Sequence, residues 1–240
     1  MSNLGNLYND NLLGVVIPVS DDADYFITVR YDEEGYIKDD EALDGDAILK
    51  AIRDGEDEYN AERKKHGFAG IHAEGWQEKP HYDQAKHQVI WGLALRTLDA
   101  DKQGNQNDHG DPDSSVNYNT RVLGRKGYVS VNLVTDVAHL AAYKPAAAAI
   151  LAGTGFVDGL RYEDFDAKSD KVAEYGLTGL VLGGVGLGVA KLVKIGLLAK
   201  FGKVLLAALF AGKKLVVGLL IAGVAVARKL FGRRTDQPEA

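Results

Sequence analysis

Thirty-four carboxylates and six histidines, with no cysteine at all, bound the chemistry open to this 240-residue chain. Without a thiolate there is neither a disulfide framework nor a sulfur-ligated metal to consider, and the redox compartment stays open. His81, Asp83 and His87 fall within one predicted turn and carry nitrogen and oxygen ligands. Neither their number nor their spacing closes a four-ligand site, so they read as polar turn residues. The acidic runs Asp21, Asp22 and Asp24, and Asp32 to Glu34 with Asp39 to Glu41, offer oxygen to a cation. Neither reproduces the twelve-residue calcium loop, which leaves them as solvated loops. There is no Gly-x-Ser-x-Gly elbow and no phosphate loop ending in Gly-Lys-Ser/Thr. Gly183-Gly-Val-Gly-Leu-Gly188 has the glycines of a dinucleotide fingerprint but sits in an apolar stretch without the acid that would hold a ribose. The expectation is therefore of no catalytic, cofactor or metal residues.

Charge is distributed unevenly along the chain. Residues 1–170 carry 17 Lys and Arg against 31 Asp and Glu, whereas residues 171–234 carry 11 basic residues against one acid, Glu174. An acidic body thus precedes a basic, apolar tail. In the body, Leu12 to Val19 and Tyr25 to Tyr31 read as a hairpin around acidic residues 20–24. Asp44 to Lys65 reads as one long, charged, amphipathic helix with Gly67 at its C-terminal end. Ile71 to Glu78 and Gln88 to Leu95 predict a second hairpin turning at Pro80 to His87, with Trp76 and Trp91 on a shared core face. Residues 99–115 form a long polar loop, either a partner-binding segment or a plain surface loop. Val116 to Leu123 and Tyr128 to Val134 form a third hairpin around Gly124-Arg-Lys-Gly127. An alanine-rich helix follows from Asp136 to Leu151, broken or kinked at Pro145. The pattern predicts an α+β fold: a mainly antiparallel sheet of β-hairpins with one long amphipathic helix, followed by a helical membrane-associated C-terminal tail.

The tail sets the partner expectation. Tyr175 to Ala190 is 16 residues without a charge, about 24 Å as a helix, against a hydrocarbon core of roughly 30 Å. Lys191, Lys194, Lys200, Lys203, Lys213 and Lys214 then interrupt the apolar runs, and Arg228, Lys229, Arg233 and Arg234 close them. A single span centred on Lys213-Lys214 would cost about 2.5–3.5 kcal/mol per buried lysine. Short helices whose lysines reach the interface satisfy the sequence better. Alternatively, Lys200, Lys203 and Lys214, which fall within about 60° of one another with Ala207 and Ala211 on the same stripe, face a wet interior in an oligomer. Gly179, Gly183, Gly184 and Gly188 have the small-xxx-small spacing that lets helices approach closely, which favours a homo-oligomer. Basic residues interleaved with apolar runs suit anionic lipid headgroups rather than nucleic acid. The boundaries expected are 1–170 for the acidic soluble domain, 171–234 for the membrane segment and 235–240 for a disordered end.

Several blocks resemble, in order, the DUF2167 family of predicted membrane-anchored bacterial proteins. They are Gly5-Asn6, Asn11 to Pro18, Tyr31 to Asp40, Asn60 to Arg63, Gly75 to Asp83, His87 to Trp91, Asn117 to Arg125 and Tyr162 to Phe165. The resemblance implies a bacterial inner-membrane protein whose domain is exported to the periplasm. Members begin with a signal peptide, whereas Met1 to Leu7 has neither its basic nor its apolar region, so a shortened or processed form is implied. The resemblance implies no catalytic residue. The leading expectation is an oligomeric scaffold or interaction module, with a protein partner open to the acidic domain. The alternatives are a pore or membrane-remodelling assembly acting through the tail, and an envelope hydrolase using the domain's carboxylates.

Overall fold

The computed structural model describes residues 11–20, 22–98 and 114–184. Six strands form one sheet: β1 (Leu12–Val16), β2 (Tyr25–Asp32), β3 (Ile71–Asp83), β4 (Gln88–Thr97), β5 (Ser114–Leu123) and β6 (Tyr128–Asp136). Their order is β1-β2-β6-β5-β4-β3, and every neighbouring pair is antiparallel. Among the described residues four α-helices accompany them: α1 (Gly45–Asp54), α2 (Glu56–Lys65), α3 (Leu140–Ala152) and α4 (Leu177–Gly184). The α+β class and the three hairpins are as the sequence pattern predicts.

The two faces of the sheet differ. One packs Ile27, Val116, Tyr118, Val131 and Leu133 against Leu140 and Ala147 of α3, and is mainly apolar, with Thr120 and Thr135 buried on it. The other packs Trp91 and Leu93 beneath α1 and α4. Trp76 shares that second face: it pairs across from Leu93, and its indole N–H donates to the Gly45 carbonyl at 2.9 Å. Helices on both sides of one sheet make three layers.

Three predicted elements have different bounds, each for a local reason. The long helix is two, separated at Gly55. Asp44 caps α1 by accepting from the Asp46 and Ala47 amides, and Ile48, Ala51 and Ile52 are buried, whereas α2 buries no residue. Pro80 does not open the turn; β3 continues through it to Asp83, with a register shift between Glu78 and His81. As an outer strand, β3 loses no ladder bond to a residue lacking an N–H. Pro145, the sixth residue of α3, does not end it; Ala141, whose carbonyl gives up an intrahelical donor to the proline, is exposed to water.

Side chains on α1 and α2 answer the open edge of β3. Asn60 Nδ2 donates to the Ile71 carbonyl and Asn60 Oδ1 accepts from the Ile71 amide, both at 2.8 Å, as a neighbouring strand would. Arg53 donates to the carbonyls of Ala73 (3.0 Å) and Glu74 (2.7 Å), and Glu56 accepts from the Ala73 amide (2.7 Å). Arg63 donates to the Ala69 carbonyl at 2.8 Å. These residues recur at helical spacing, so a polar stripe on the two helices seals an edge that would otherwise template another strand.

Among the described residues no helix is long and apolar enough to cross a membrane. The basic residues of the tail from Lys191 to Arg234, with Gly188, Ala207 and Ala211, lie outside the described residues, as do residues 99–113.

Candidate functional site

The face beneath α1 and α4 has a polar centre. Cross-strand register places Arg30 beside Ser130, Ser130 beside Arg121, and Arg121 beside Val89, a row spanning β2, β6, β5 and β4. The next row is Thr28, Asn132, Asn119 and Trp91. Directly opposed side chains stand about 4.5–5.5 Å apart at Cβ, so these residues touch as a patch. Arg121 is 2% exposed and Ser130 0%, whereas Thr28, Arg30 and Asn132 on the β2 side are half-buried. The Arg121 guanidinium lies 4.9 Å from the Trp91 ring centroid and 5.8 Å from that of Tyr128.

Neither Arg30 nor Arg121 makes an ion pair among the described residues. Buried polar atoms without a hydrogen-bond partner are Arg121 Nε and Nη1, Arg30 Nε, Trp91 Nε1, Ser130 Oγ and Asn132 Oδ1. Burial pushes the Arg121 guanidinium down to about 10, with the Arg30 charge acting in the same direction. Asp32, which counters them, is engaged by the Asn11 amide at 3.1 Å. An uncompensated buried charge costs several kcal/mol, and a desolvated cation–π contact returns about 2 kcal/mol. The aromatic walls therefore do not balance the buried charge. Gly184, at the end of α4, closes over it: a Cβ there would lie 2.5 Å from Trp91 Cζ2 and 2.9 Å from Arg121 Nη2.

A second polar centre joins three distant segments. Tyr82 Oη donates to Asp39 Oδ2 at 2.9 Å, so its single proton is committed. His87 Nδ1, 2.9 Å from the same oxygen, must then be the donor to it. His87 Nε2 lies 3.4 Å from Glu163 Oε1, and its ring stacks on Tyr162 at 4.4 Å. Tyr162 stacks in turn on Tyr36 (4.5 Å), which stacks on Phe165 (3.9 Å). The Tyr162 hydroxyl donates to the Ile37 carbonyl at 2.8 Å. Burial, and then the Asp39 carboxylate, raises the Tyr82 hydroxyl far above the ordinary phenol value; burial and Tyr36 do the same to Tyr162. Both phenols are thereby fixed as neutral donors. His87 has φ 49°, in the left-handed region that a non-glycine residue occupies only when its surroundings hold it there. The segment is closed below by Gly35, at φ 102°, where a Cβ would lie 2.8 Å from the Lys171 carbonyl.

The residues flagged in the sequence are dispersed. His81 Nδ1 approaches the Lys79 carbonyl, Asp83 pairs with Lys86, and His87 belongs to the aromatic centre, so the three do not converge. Gly179 and Gly183 lie on α4. A Cβ at Gly179 would meet Tyr175 of the same segment, one at Gly183 would meet nothing within 4 Å, and Gly184 packs on Trp91. Leu177, Leu180, Val181 and Leu182 are buried, and α4 packs on α1 and β4. The start of the apolar stretch is accordingly part of the sheet's own core. Sequence reasoning singles out neither Arg121 nor, apart from His87, the members of the aromatic centre. The signal that could have found Arg121 is the run Asn117-Tyr-Asn-Thr-Arg121, where polar residues alternate onto one face of a central strand.

Fold and site define an α+β domain with an antiparallel sheet between helices, mainly apolar on one face and cationic at the centre of the other. The chain belongs to the DUF2167 family, whose model, described as a protein of unknown function, matches residues 1–225. Five of the eight blocks on which the resemblance rests meet at these centres: Tyr36, Asp39, Tyr82, His87, Tyr162 and Phe165 at the aromatic one, Trp91, Asn119 and Arg121 at the cationic one. Two solved structures are weakly similar. One is the crystal structure of PA94, a Pseudomonas aeruginosa protein of unknown function, at 11% identity and a TM-score of 0.32, covering 62% of this chain and 86% of that one. The other is the solution structure of the PsbP protein CyanoP from Synechocystis sp. PCC 6803, at 12% and 0.30, covering 60% and 81%. No curated protein matches the sequence.

Proposed function

We propose that this protein is a membrane-associated module of the bacterial envelope that works by binding, as an oligomer, with its sheet domain on the periplasmic side. The observation that carries this reading is the partition of charge and apolarity: 31 acids against 17 bases through residue 170, then 11 bases against one acid among long apolar runs. Such a tail is attracted to anionic headgroups through its lysines while its apolar faces enter the interface. Binding is favoured over catalysis because the acids and hydroxyls of the aromatic centre are engaged with one another, which suits a structural joint. Self-association is supported by the contrast between edges. The β3 edge is sealed by α1 and α2, whereas at the other end Leu13, Ile17 and Val19 are 65%, 70% and 101% exposed in a run without charge. A second copy of the same uncharged strand fits that edge without opposing like charges.

Flotation of the full chain with vesicles tests the reading. It predicts co-flotation with phosphatidylglycerol-containing vesicles and weaker flotation with phosphatidylcholine alone, lost on reversing Lys200, Lys203 and Lys214 to glutamate. A chain that stays with the soluble fraction in both cases would overturn it.

A further inference from the structure

We propose that Arg30, Ser130 and Arg121 form a binding site for a phosphate-type oxyanion on the polar face of the sheet. Three observations independent of the membrane reading carry it. First, Arg121 is only 2% exposed, yet two of its three guanidinium nitrogens have no hydrogen-bond partner. Second, the unpartnered atoms are strongly biased. Arg121 Nε and Nη1, Arg30 Nε and Trp91 Nε1 can only donate, Ser130 Oγ can donate or accept, and Asn132 Oδ1 alone can do nothing but accept. Water, which brings two donors and two acceptors and no charge, matches that set poorly. A group that brings several acceptor oxygens and negative charge matches it well.

Third, two cations flank one hydroxyl: Arg30 and Arg121 are both cross-strand neighbours of Ser130. Two guanidinium groups around one point suit a tetrahedral dianion better than a carboxylate, which one guanidinium can satisfy. The site has a closed and an open side. Gly184 and Trp91 wall it at β4, where Arg121 and Asn119 are buried. Toward β2, Thr28, Arg30 and Asn132 are half-buried, so entry is by movement of their side chains, since Arg30 Nε and Asn132 Oδ1 are themselves covered. The oxyanion is either free phosphate or the phosphate of a lipid headgroup, and the two sources are separable.

The experiment uses the full chain in mild detergent and measures thermal unfolding and tryptophan emission, since Trp91 stacks on the Arg121 guanidinium. Probes are inorganic phosphate, short-chain phosphatidylglycerol and acetate, each against chloride at matched ionic strength. The site predicts a rise in Tm of several degrees with phosphate or with the lipid, accompanied by a change in emission. A response to inorganic phosphate assigns the free ion, and a response to the lipid alone assigns the headgroup. Arg121→Met, which keeps volume and removes the charge, should be at least as stable as the parent without ligand and should lose the response. Arg30→Gln, on the half-buried side, should weaken the response at least tenfold in ligand concentration while leaving the unliganded Tm within a degree or two. No response from either phosphate source, or a response equalled by acetate, overturns the proposal. So does an unchanged response in Arg30→Gln.

Discussion

His87 occupies φ 49° because four contacts hold it: a hydrogen bond to Tyr82, proximity to Glu163, stacking on Tyr162, and its own carbonyl accepting from the Leu123 amide at 2.9 Å. Glycine adopts that backbone freely and alanine does not, at about 1–2 kcal/mol. His87→Ala should therefore unfold at lower urea than His87→Gly, by about 1 kcal/mol in stability, although both lose the ring. Equal midpoints would mean that the residue relaxes out of the left-handed region. Tyr82→Phe removes only the hydroxyl shared by Asp39 and His87 and should cost about 1–3 kcal/mol, read from the same denaturation curves. A third residue-scale expectation concerns pH. Arg125 donates to both oxygens of Asp170 at 2.7 and 3.0 Å, and this bonding holds the Asp170 carboxyl below its usual range. The unfolded chain then binds the proton more readily than the folded one. Stability from the pair is complete above the ordinary carboxylate pKa and is lost as pH falls through the lowered folded value. Asp170→Asn should thus unfold more easily than the parent at neutral pH, and the two should converge in strong acid. Of these residues the sequence singles out His87 alone, and as a turn residue, since bonded partners such as Ile37 and Tyr162 stand 125 positions apart. Only the fold brings them together.

At the scale of elements, local pattern and tertiary demand part company at the helices. Alternation of apolar residues with turn chemistry between them makes the hairpins readable. Periodicity also predicts the helix over Asp44 to Lys65, but not its division at Gly55, because the second half contributes hydrogen bonds to a strand edge and no apolar face. A polar stripe of Arg53, Glu56, Asn60 and Arg63 looks like any solvated helix surface until β3 is placed beside it. Asn60→Ala should therefore behave unlike a surface substitution. It leaves both backbone groups of Ile71 without their partner and should cost about 1–2 kcal/mol, with faster hydrogen exchange at the Ile71 amide than at the central-strand amide of Val131. Exchange unchanged at Ile71 would show that water replaces the amide without loss. The same logic explains why β5 misleads. Its Val116, Tyr118, Thr120 and Val122 set meets the α3 face, and the alternate set of Asn117, Asn119 and Arg121 has the polarity of a solvent face, although Asn119 and Arg121 are buried.

At the scale of the whole molecule, the proposed reading gives one chain two devices for association, and they differ in chemistry. In that reading the tail offers lysines and glycines to lipid or to other tails, while the sheet offers β1, which is outermost among the described strands, carries exposed Leu13 and is followed by exposed Ile17. Natural sheets usually blunt such an edge with charge, and here the opposite edge is blunted by a helix pair. Replacing both Leu13 and Ile17 with lysine adds charge to the edge and removes no buried contact, so stability should change by less than about 0.5 kcal/mol. If the edge carries self-association, the double variant should give fewer crosslinked oligomers in mild detergent while floating with anionic vesicles as the parent does, because the tail is untouched. If oligomers persist undiminished, association resides in the tail, and a Gly184 variant cannot test that cleanly because Gly184 also packs against Trp91 and Arg121. Loss of flotation alongside loss of oligomers would instead mean that membrane attraction is multivalent: single tails bind weakly, and the edge gathers enough of them to hold the surface.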